Sequence, residues 1–562
     1  MILSTKMYSR EYLVLQVFPA FSLKNIQNGF QNRFCIAVQF LFWYDPSMLS
    51  KIHARRDAFM TTAQGWILGA IVGYLALMLL IGVLCSRKKG SGGSDHFYLG
   101  GRSLGPIVTA MSAEASDMSS YLLMGLPGLA YLTGMAEVGW TIVGLALGTW
   151  LNWFLVARRL RRDSARLGAI TVPDYFSRRY GDEKKRLACA AALLILLFFI
   201  PYTASGFKAL GTLFSSLFGW DYHTCMLLGG AVVVLYTVMG GFLAVSVTDL
   251  VQSIVMTVAL AAVVIFGIHQ AGGLGAVMDN ARALPGYLSL TQGYDPATGS
   301  AGHFGSLSIL STLAWGLGYF GMPHILLRFM AIRDENELKL SRRVASIWVA
   351  VSMAIAVGIG VIGLSLSAQG KLPVLSTAAE SETVVISLAD LMSRSGHLAA
   401  ILAGIVLAGI LAATMSTADS QLLAAASSVS QDLLGGFFHL RMKEKTVLRT
   451  ARLTVLGVAL VGAALAWDPD SSVFRVVSFA WAGFGAAFGP AILLALFDKK
   501  STGTGCLAGM LAGGAGVILW KFLLRPLGGA WDVYELLPAF ILALLVNVLV
   551  SRLAGEKARA AR

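Results

Sequence analysis

The feature that most constrains this chain is its succession of long apolar runs. A helix rises about 1.5 Å per residue, so about 20 apolar residues cross the ~30 Å hydrocarbon core of a bilayer. Thirteen runs of suitable length follow one another, at 65–85, 106–131, 136–156, 187–213, 224–240, 246–268, 305–327, 344–367, 397–425, 450–467, 473–497, 503–523 and 534–551. Lipid cannot satisfy open backbone groups, so each run is expected to be helical. Charged residues make up 13% of the chain, against about 25% in soluble domains. A soluble protein of this composition could not cover its surface, and the expectation is an all-α polytopic membrane protein with about 13 transmembrane helices.

The formal charge of +14 then reads as topology, with no nucleic-acid partner expected. Arg87, Lys88, Lys89 and Arg102 follow the first run, and Arg158, Arg159, Arg161 and Arg162 open a basic loop after the third. Arg328, Arg333, Lys339, Arg342 and Arg343 follow the seventh, Arg441, Lys443, Lys445 and Arg449 the ninth, and Lys499 and Lys500 the eleventh. Lys557, Arg559 and Arg562 lie in the tail, whereas 269–304 has only Arg282. Positive charge after every odd-numbered run predicts the N-terminus outside and the C-terminus in the cytoplasm of a bacterial inner membrane.

Residues 1–59 differ in character. Their one apolar run, 34–44, is too short to span, and they carry no signal-peptide pattern. Met60 is read as the natural start, the alternative being a translated extension. Cys35, Cys85, Cys189, Cys225 and Cys506 are scattered without a CxxC pair, so neither a disulfide framework nor a metal cluster is expected. No P-loop pattern occurs, and no nucleophile with a base stands out among the scattered histidines. An ATP-driven pump or a membrane enzyme is not expected, nor is an obligate protein partner.

An ionisable side chain within a span costs about 2.5–3.5 kcal/mol on insertion scales and marks function by default. The second run reads Ser112-Ala113-Glu114-Ala115-Ser116-Asp117-Met118-Ser119-Ser120-Tyr121. Serine and aspartate compete for backbone hydrogen bonds, so the helix is expected to unwind here. Freed carbonyls would suit a cation, and a freed half-helix N-terminus a carboxylate. The bland alternative is a polar face packed against other helices; it weighs most for Glu114, because one carboxylate suffices for one monovalent cation. The ninth run holds a second polar patch, from Ala413 through Ser416, Thr417 and Asp419 to Gln421, whose hydroxyls could hold sodium or bond a neighbouring helix. In the seventh, Trp315-Gly316-Leu317-Gly318-Tyr319-Phe320-Gly321-Met322-Pro323 suggests a second broken helix with aromatic walls for a small solute. The second and seventh runs are five apart. An odd offset inverts orientation, so interrupted helices at matching positions of inverted repeats point to a transporter site.

On these residues the chain resembles the sodium/solute symporter family, and within it the proline-transporting branch. The motifs are Gly100-Gly101-Arg102-Ser103-Leu104-Gly105-Pro106, Ser116-Asp117-Met118-Ser119, Gly240-Gly241-Phe242-Leu243-Ala244 with Thr248-Asp249, Gly318-Tyr319-Phe320-Gly321 with Pro323-His324, and Met415-Ser416-Thr417. The match spans roughly 60–555. The resemblance implies a five-plus-five inverted-repeat (LeuT-like) core over 106–497, preceded by one helix and a loop at 60–105 and followed by two helices and a tail at 498–562. It implies sodium as the co-transported ion, held by the carbonyls of Ala115, Met118 and Ala413 and the hydroxyls of Ser416 and Thr417, with Asp117 as the essential carboxylate. It places L-proline near Ser119, Ser120, Tyr202, Trp315, Tyr319 and Pro323, and gives Arg102 and Asp249 coupling roles. Proline-transporting members usually carry Gly-Trp at Ser120-Tyr121, and often Gly at Glu114. Those departures keep open another small solute, such as pantothenate, a sugar or another amino acid, taken up with sodium or protons.

Overall fold

The computed structural model describes residues 61–87, 98–440 and 442–560. The extension 1–59 and the basic residues Lys88 and Lys89 lie outside the described residues. Among the described residues, strand is confined to one antiparallel hairpin, Gln292–Asp295 with Ser300–His303, in the connection expected to be poor in positive charge. The rest is overwhelmingly helical, as a bilayer requires of a chain that cannot leave backbone groups open.

Among the described residues, ten helices are long and apolar enough to cross a membrane. The other three expected spans are not continuous helices of that kind. The run at 106–131 is divided into α2 (Pro106–Ser120), a π-helical turn (Tyr121–Gly125) and α3 (Leu126–Thr133), after α1 (Thr62–Arg87). After α4 (Met135–Asn152) and α5 (Arg186–Phe218), the fifth and sixth runs merge into α6 (Tyr222–Gln270), which breaks at Gly241. Gly241 has φ 68° and ψ 174°, a conformation glycine adopts without steric cost. The run at 305–327 becomes α7 (Ser306–Leu313), a 3₁₀ segment (Ala314–Gly321) and α8 (Pro323–Ala331). Then follow α9 (Leu338–Ala368), α10 (His397–Ser427), α11 (Glu444–Leu465), α12 (Val473–Phe497), α13 (Gly503–Leu519) and α14 (Leu536–Ala560).

Burial separates core helices from peripheral ones. Every residue of α10 from Val406 to Ser427 is buried, as is every residue of α2 from Thr109 onward. By contrast α1, α11 and α14 expose leucines such as Leu80, Leu460 and Leu549. Apolar exposure of that kind suits lipid as solvent, and long apolar helices with it identify a multi-pass membrane protein. Packed on α10 are α1, α2, α5 and α6, so the polar patches of α2 and α10 meet in the interior.

Candidate functional site

The break in α2 is narrower than the sequence suggests. Helical geometry continues through Asp117, and only Ser119 leaves it, at φ 45° and ψ −171°. A non-glycine residue in positive-φ geometry is uncommon and costs of order 1–3 kcal/mol, so its surroundings must hold it. Ser119 helps by accepting the Tyr121 amide on its own hydroxyl, at 3.1 Å. The second break is broader. Glycines let 314–321 wind as a 3₁₀ turn, Met322 is extended, and Pro323 restarts the helix at a position where its missing N–H costs nothing.

Asp117 stands where the two breaks face each other. Its Oδ2 accepts the Tyr319 hydroxyl at 2.7 Å, and its backbone carbonyl accepts the Tyr202 hydroxyl at 3.2 Å. Its Oδ1 is buried with no hydrogen-bond partner. Beside it lies a small cavity lined by Asp117, Met118, Tyr121, Tyr202, Trp315, Tyr319 and Trp481, with Leu145 and Val477. Aromatic packing fixes its walls. Trp315 stacks on Tyr121 at 5.7 Å and Tyr534 at 5.1 Å, Trp481 meets the Tyr319 ring edge-on at 5.0 Å, and the Trp481 indole donates to the Trp315 carbonyl at 2.8 Å.

A second cavity, lined by Ser119, Ser120, Tyr202, Thr414, Thr417 and Gln421 among others, opens on the α10 side of the break. Here α2 and α10 are joined through hydroxyls. Ser416 Oγ lies 2.7 Å from the Ala115 carbonyl and 3.1 Å from that of Ala413, and Thr417 Oγ1 donates to the Ala413 carbonyl at 3.2 Å. Carbonyls and hydroxyls thus cluster as hard oxygen donors, one turn from a buried carboxylate. The structure therefore brings together Ala115, Asp117, Met118, Ser119, Ser120, Tyr202, Trp315, Tyr319, Ala413, Ser416 and Thr417. Pro323 lines neither cavity; it sits buried at the start of α8.

Arg102 and Asp249 stand apart from this group and from each other. The Arg102 guanidinium donates to the carbonyls of Met330 and Ala169 at 2.6 and 2.7 Å, pinning the end of α8 to the connection after α4. Asp249 Oδ2 accepts Ser112 Oγ at 2.6 Å and pairs with Arg328 at 3.1 Å. Arg328 corrects an expectation. Counted from sequence among the loop charges after the seventh run, it is instead 1% exposed and donates to Ser112 Oγ, the His324 carbonyl and Ser420 Oγ. Its position five residues past Pro323, on the last turn of an interrupted helix, was the available signal, but an arginine at the end of an apolar run reads as a loop charge until its partners are known.

One further group escaped the sequence reading. Glu382, in the connection after α9, accepts Ser472 Oγ at 2.7 Å and the amides of Val473 and Phe474 at 3.0 Å, capping the start of α12. That cap places Phe474, which stacks on Tyr121 and packs against Trp315. Capping of a distant helix by a carboxylate has no local sequence signature. Glu114, for which the sequence left packing and function both open, accepts the Trp153 indole N–H on Oε1 at 2.8 Å.

Two interrupted helices meeting around a buried carboxylate form the architecture of a secondary transporter. The chain belongs to the sodium:solute symporter family, whose model matches residues 97–513. It is 42% identical over 485 residues to the high-affinity proline transporter PutP of Bacillus subtilis, covering 86% of this chain and 97% of that one. It is 40% identical over 489 residues to the osmoregulated proline transporter OpuE of the same organism, covering 87% and 94%. The sodium/proline symporter of Staphylococcus aureus is 39% identical over 491 residues, covering 86% and 92%. Among solved structures, a substrate-bound, outward-open sodium-coupled sialic acid symporter superposes with a TM-score of 0.69 at 17% identity, over 87% of this chain and 98% of that one. That likeness carries the LeuT-like fold alone.

Proposed function

We propose that the protein carries L-proline into the cell with sodium by alternating access, with Asp117 as the carboxylate of the sodium site. Supporting this are the relatives named as proline transporters and one observation above the rest: the Tyr319–Asp117 hydrogen bond joins the two helix breaks beside an aromatic-walled cavity. Sodium binds to the carbonyls of Ala115, Met118 and Ala413 and the hydroxyls of Ser416 and Thr417. These hydroxyls donate to the carbonyls of Ala115 and Ala413, so a cation replaces hydrogen bonds already converging there.

The solute occupies the cavity beside Tyr202, Trp315 and Tyr319, near Ser119, Ser120 and Pro323. Its carboxylate meets the amides of the half-helix restarting after Ser119, and its ring packs on the indole of Trp315. Ordering of the break by sodium raises solute affinity, a reciprocal coupling of ~1–3 kcal/mol. One charge moving inward down 100 mV supplies about 2.3 kcal/mol. Arg102 holds the cytoplasmic ends together, and Asp249 with Arg328 links α2, α6, α8 and α10, so both act in coupling. The membrane is the bacterial inner membrane, with the N-terminus outside and the C-terminus in the cytoplasm.

Ser120 favours a second reading. Its hydroxyl is buried without a hydrogen-bond partner and lines the second cavity, where it could serve a solute richer in polar groups than proline. Uptake of labelled proline into proteoliposomes, with and without an inward sodium gradient, decides between them. Accumulation only with sodium is expected. Sodium-independent uptake, or none while another small solute accumulates, refutes the proline reading.

A further inference from the structure

Around Tyr319 the membrane interior holds two buried carboxyl groups and a set of unpartnered oxygens. Glu114 and Asp117 lie three residues apart on α2, which puts them on neighbouring positions of one helix face. Glu114 is 1% exposed and Asp117 5%. Each uses one oxygen as an acceptor, from Trp153 and from Tyr319, and each leaves the other buried and unpartnered. Across from them, α4 contributes Thr149 and Asn152, both fully buried. The Asn152 amide nitrogen donates to the Tyr319 carbonyl at 2.9 Å, while its Oδ1 and the Thr149 hydroxyl have no partner. Thr149 lies beside the Tyr319 hydroxyl, and Asn152 and the adjacent Trp153, at the end of α4, bond to the Tyr319 carbonyl and to Glu114.

Native interiors leave few polar atoms unpaired, and buried charges are normally paired or coordinate a cation. Among the described residues, neither carboxyl forms an ion pair. The nearby cation, Arg328, is engaged by Asp249 and the hydroxyls of Ser112 and Ser420.

We propose that Glu114 Oε2, Asp117 Oδ1, Thr149 Oγ1 and Asn152 Oδ1 form a second monovalent-cation site between α2 and α4. It is separate from the oxygens of Ala115, Ala413, Ser416 and Thr417, and shares only Asp117 with the sodium-coupled reading, on which it rests for the choice of sodium as ion. All four donors are hard oxygens, as a small cation requires. Both helices contribute ligands, so occupancy ties α4 to α2 at the level of the break.

The test is the number of radioactive sodium ions bound per chain by the full-length protein in nanodiscs, at saturating sodium and without solute. Two are expected in the wild type, one in Glu114→Gln and one in Ser416→Ala, the two variants losing different ions. Thr149→Val, which keeps the side-chain shape, is expected to raise the sodium concentration half-saturating the second ion by about tenfold, the ratio given by 1.4 kcal/mol. One ion in the wild type, lost in Ser416→Ala and kept in Glu114→Gln, overturns the second site and leaves sodium coupling standing. No bound sodium at all overturns both. Two ions in the wild type with both retained in Glu114→Gln and Thr149→Val overturns the assignment of these ligands.

Discussion

The Tyr319 hydroxyl donates to Asp117 Oδ2 across 2.7 Å, bridging two helix breaks that lie 202 residues apart in the chain. Tyr319 lies within the second break, and Asp117 sits in helical geometry two residues before the first, at Ser119. The bond therefore reports on whether the two repeats are correctly juxtaposed, and removing either end separates binding from folding.

Asp117→Ala is expected to abolish sodium-driven uptake while the protein still inserts and purifies. Tyr319→Phe keeps the ring against Trp481 and loses only the donor. Hydrogen bonds to charged groups contribute about 1.5–3 kcal/mol, so the sodium concentration for half-maximal uptake rises by roughly 10- to 100-fold. Sodium titrations of uptake in proteoliposomes measure both. Wild-type sodium dependence in Asp117→Ala would remove that residue from the site.

Ser416→Ala removes the hydroxyl that joins α10 to the Ala115 carbonyl. Its expected effect is weaker sodium binding with little change in thermal stability, since the lost neutral hydrogen bond is worth only about 1 kcal/mol. Unaltered sodium affinity alongside a large fall in melting temperature would make the residue packing glue instead.

The Asp249–Arg328 pair is fully buried, so breaking it from one side strands a charge. Arg328→Met is expected to destabilise by about 3–5 kcal/mol, and Arg328→Met with Asp249→Asn to recover much of that loss. Thermal unfolding in detergent of the two single variants and the double variant gives the coupling. Additive losses would show that the two groups do not depend on each other.

Close packing makes a sharp prediction at Gly318. A Cβ there would lie 1.9 Å from the Trp481 indole nitrogen, which donates to the Trp315 carbonyl. Gly318→Ala therefore displaces Trp481, costing about 1–3 kcal/mol in overpacking, and raises the half-saturating solute concentration. Gly358→Ala, where a Cβ meets nothing within 4 Å, is the matched control and is expected to be neutral or slightly stabilising. Equal behaviour of the two variants in uptake would refute the role given to Trp481.

The apolar runs by themselves determined a polytopic helical protein, because the bilayer leaves a chain no other way to satisfy its backbone. Composition also singled out the polar stretch around Asp117 and the glycine-rich stretch around Tyr319, since both violate what a membrane helix prefers. Sequence could not say that the first break is confined to Ser119, because backbone competition by serine and aspartate is diffuse over ten residues while the actual φ depends on what packs around it. Nor could it distinguish Arg328 from its neighbours Arg333 and Arg342, or see that Glu382 caps a helix 91 residues further on. Charges and hydrogen-bond acceptors are legible as residue types in a sequence; whether each finds a partner is decided by tertiary contacts between distant segments. That is why the sequence left Glu114 between packing and function, and only the structure showed one of its oxygens held by Trp153 and the other buried without a partner.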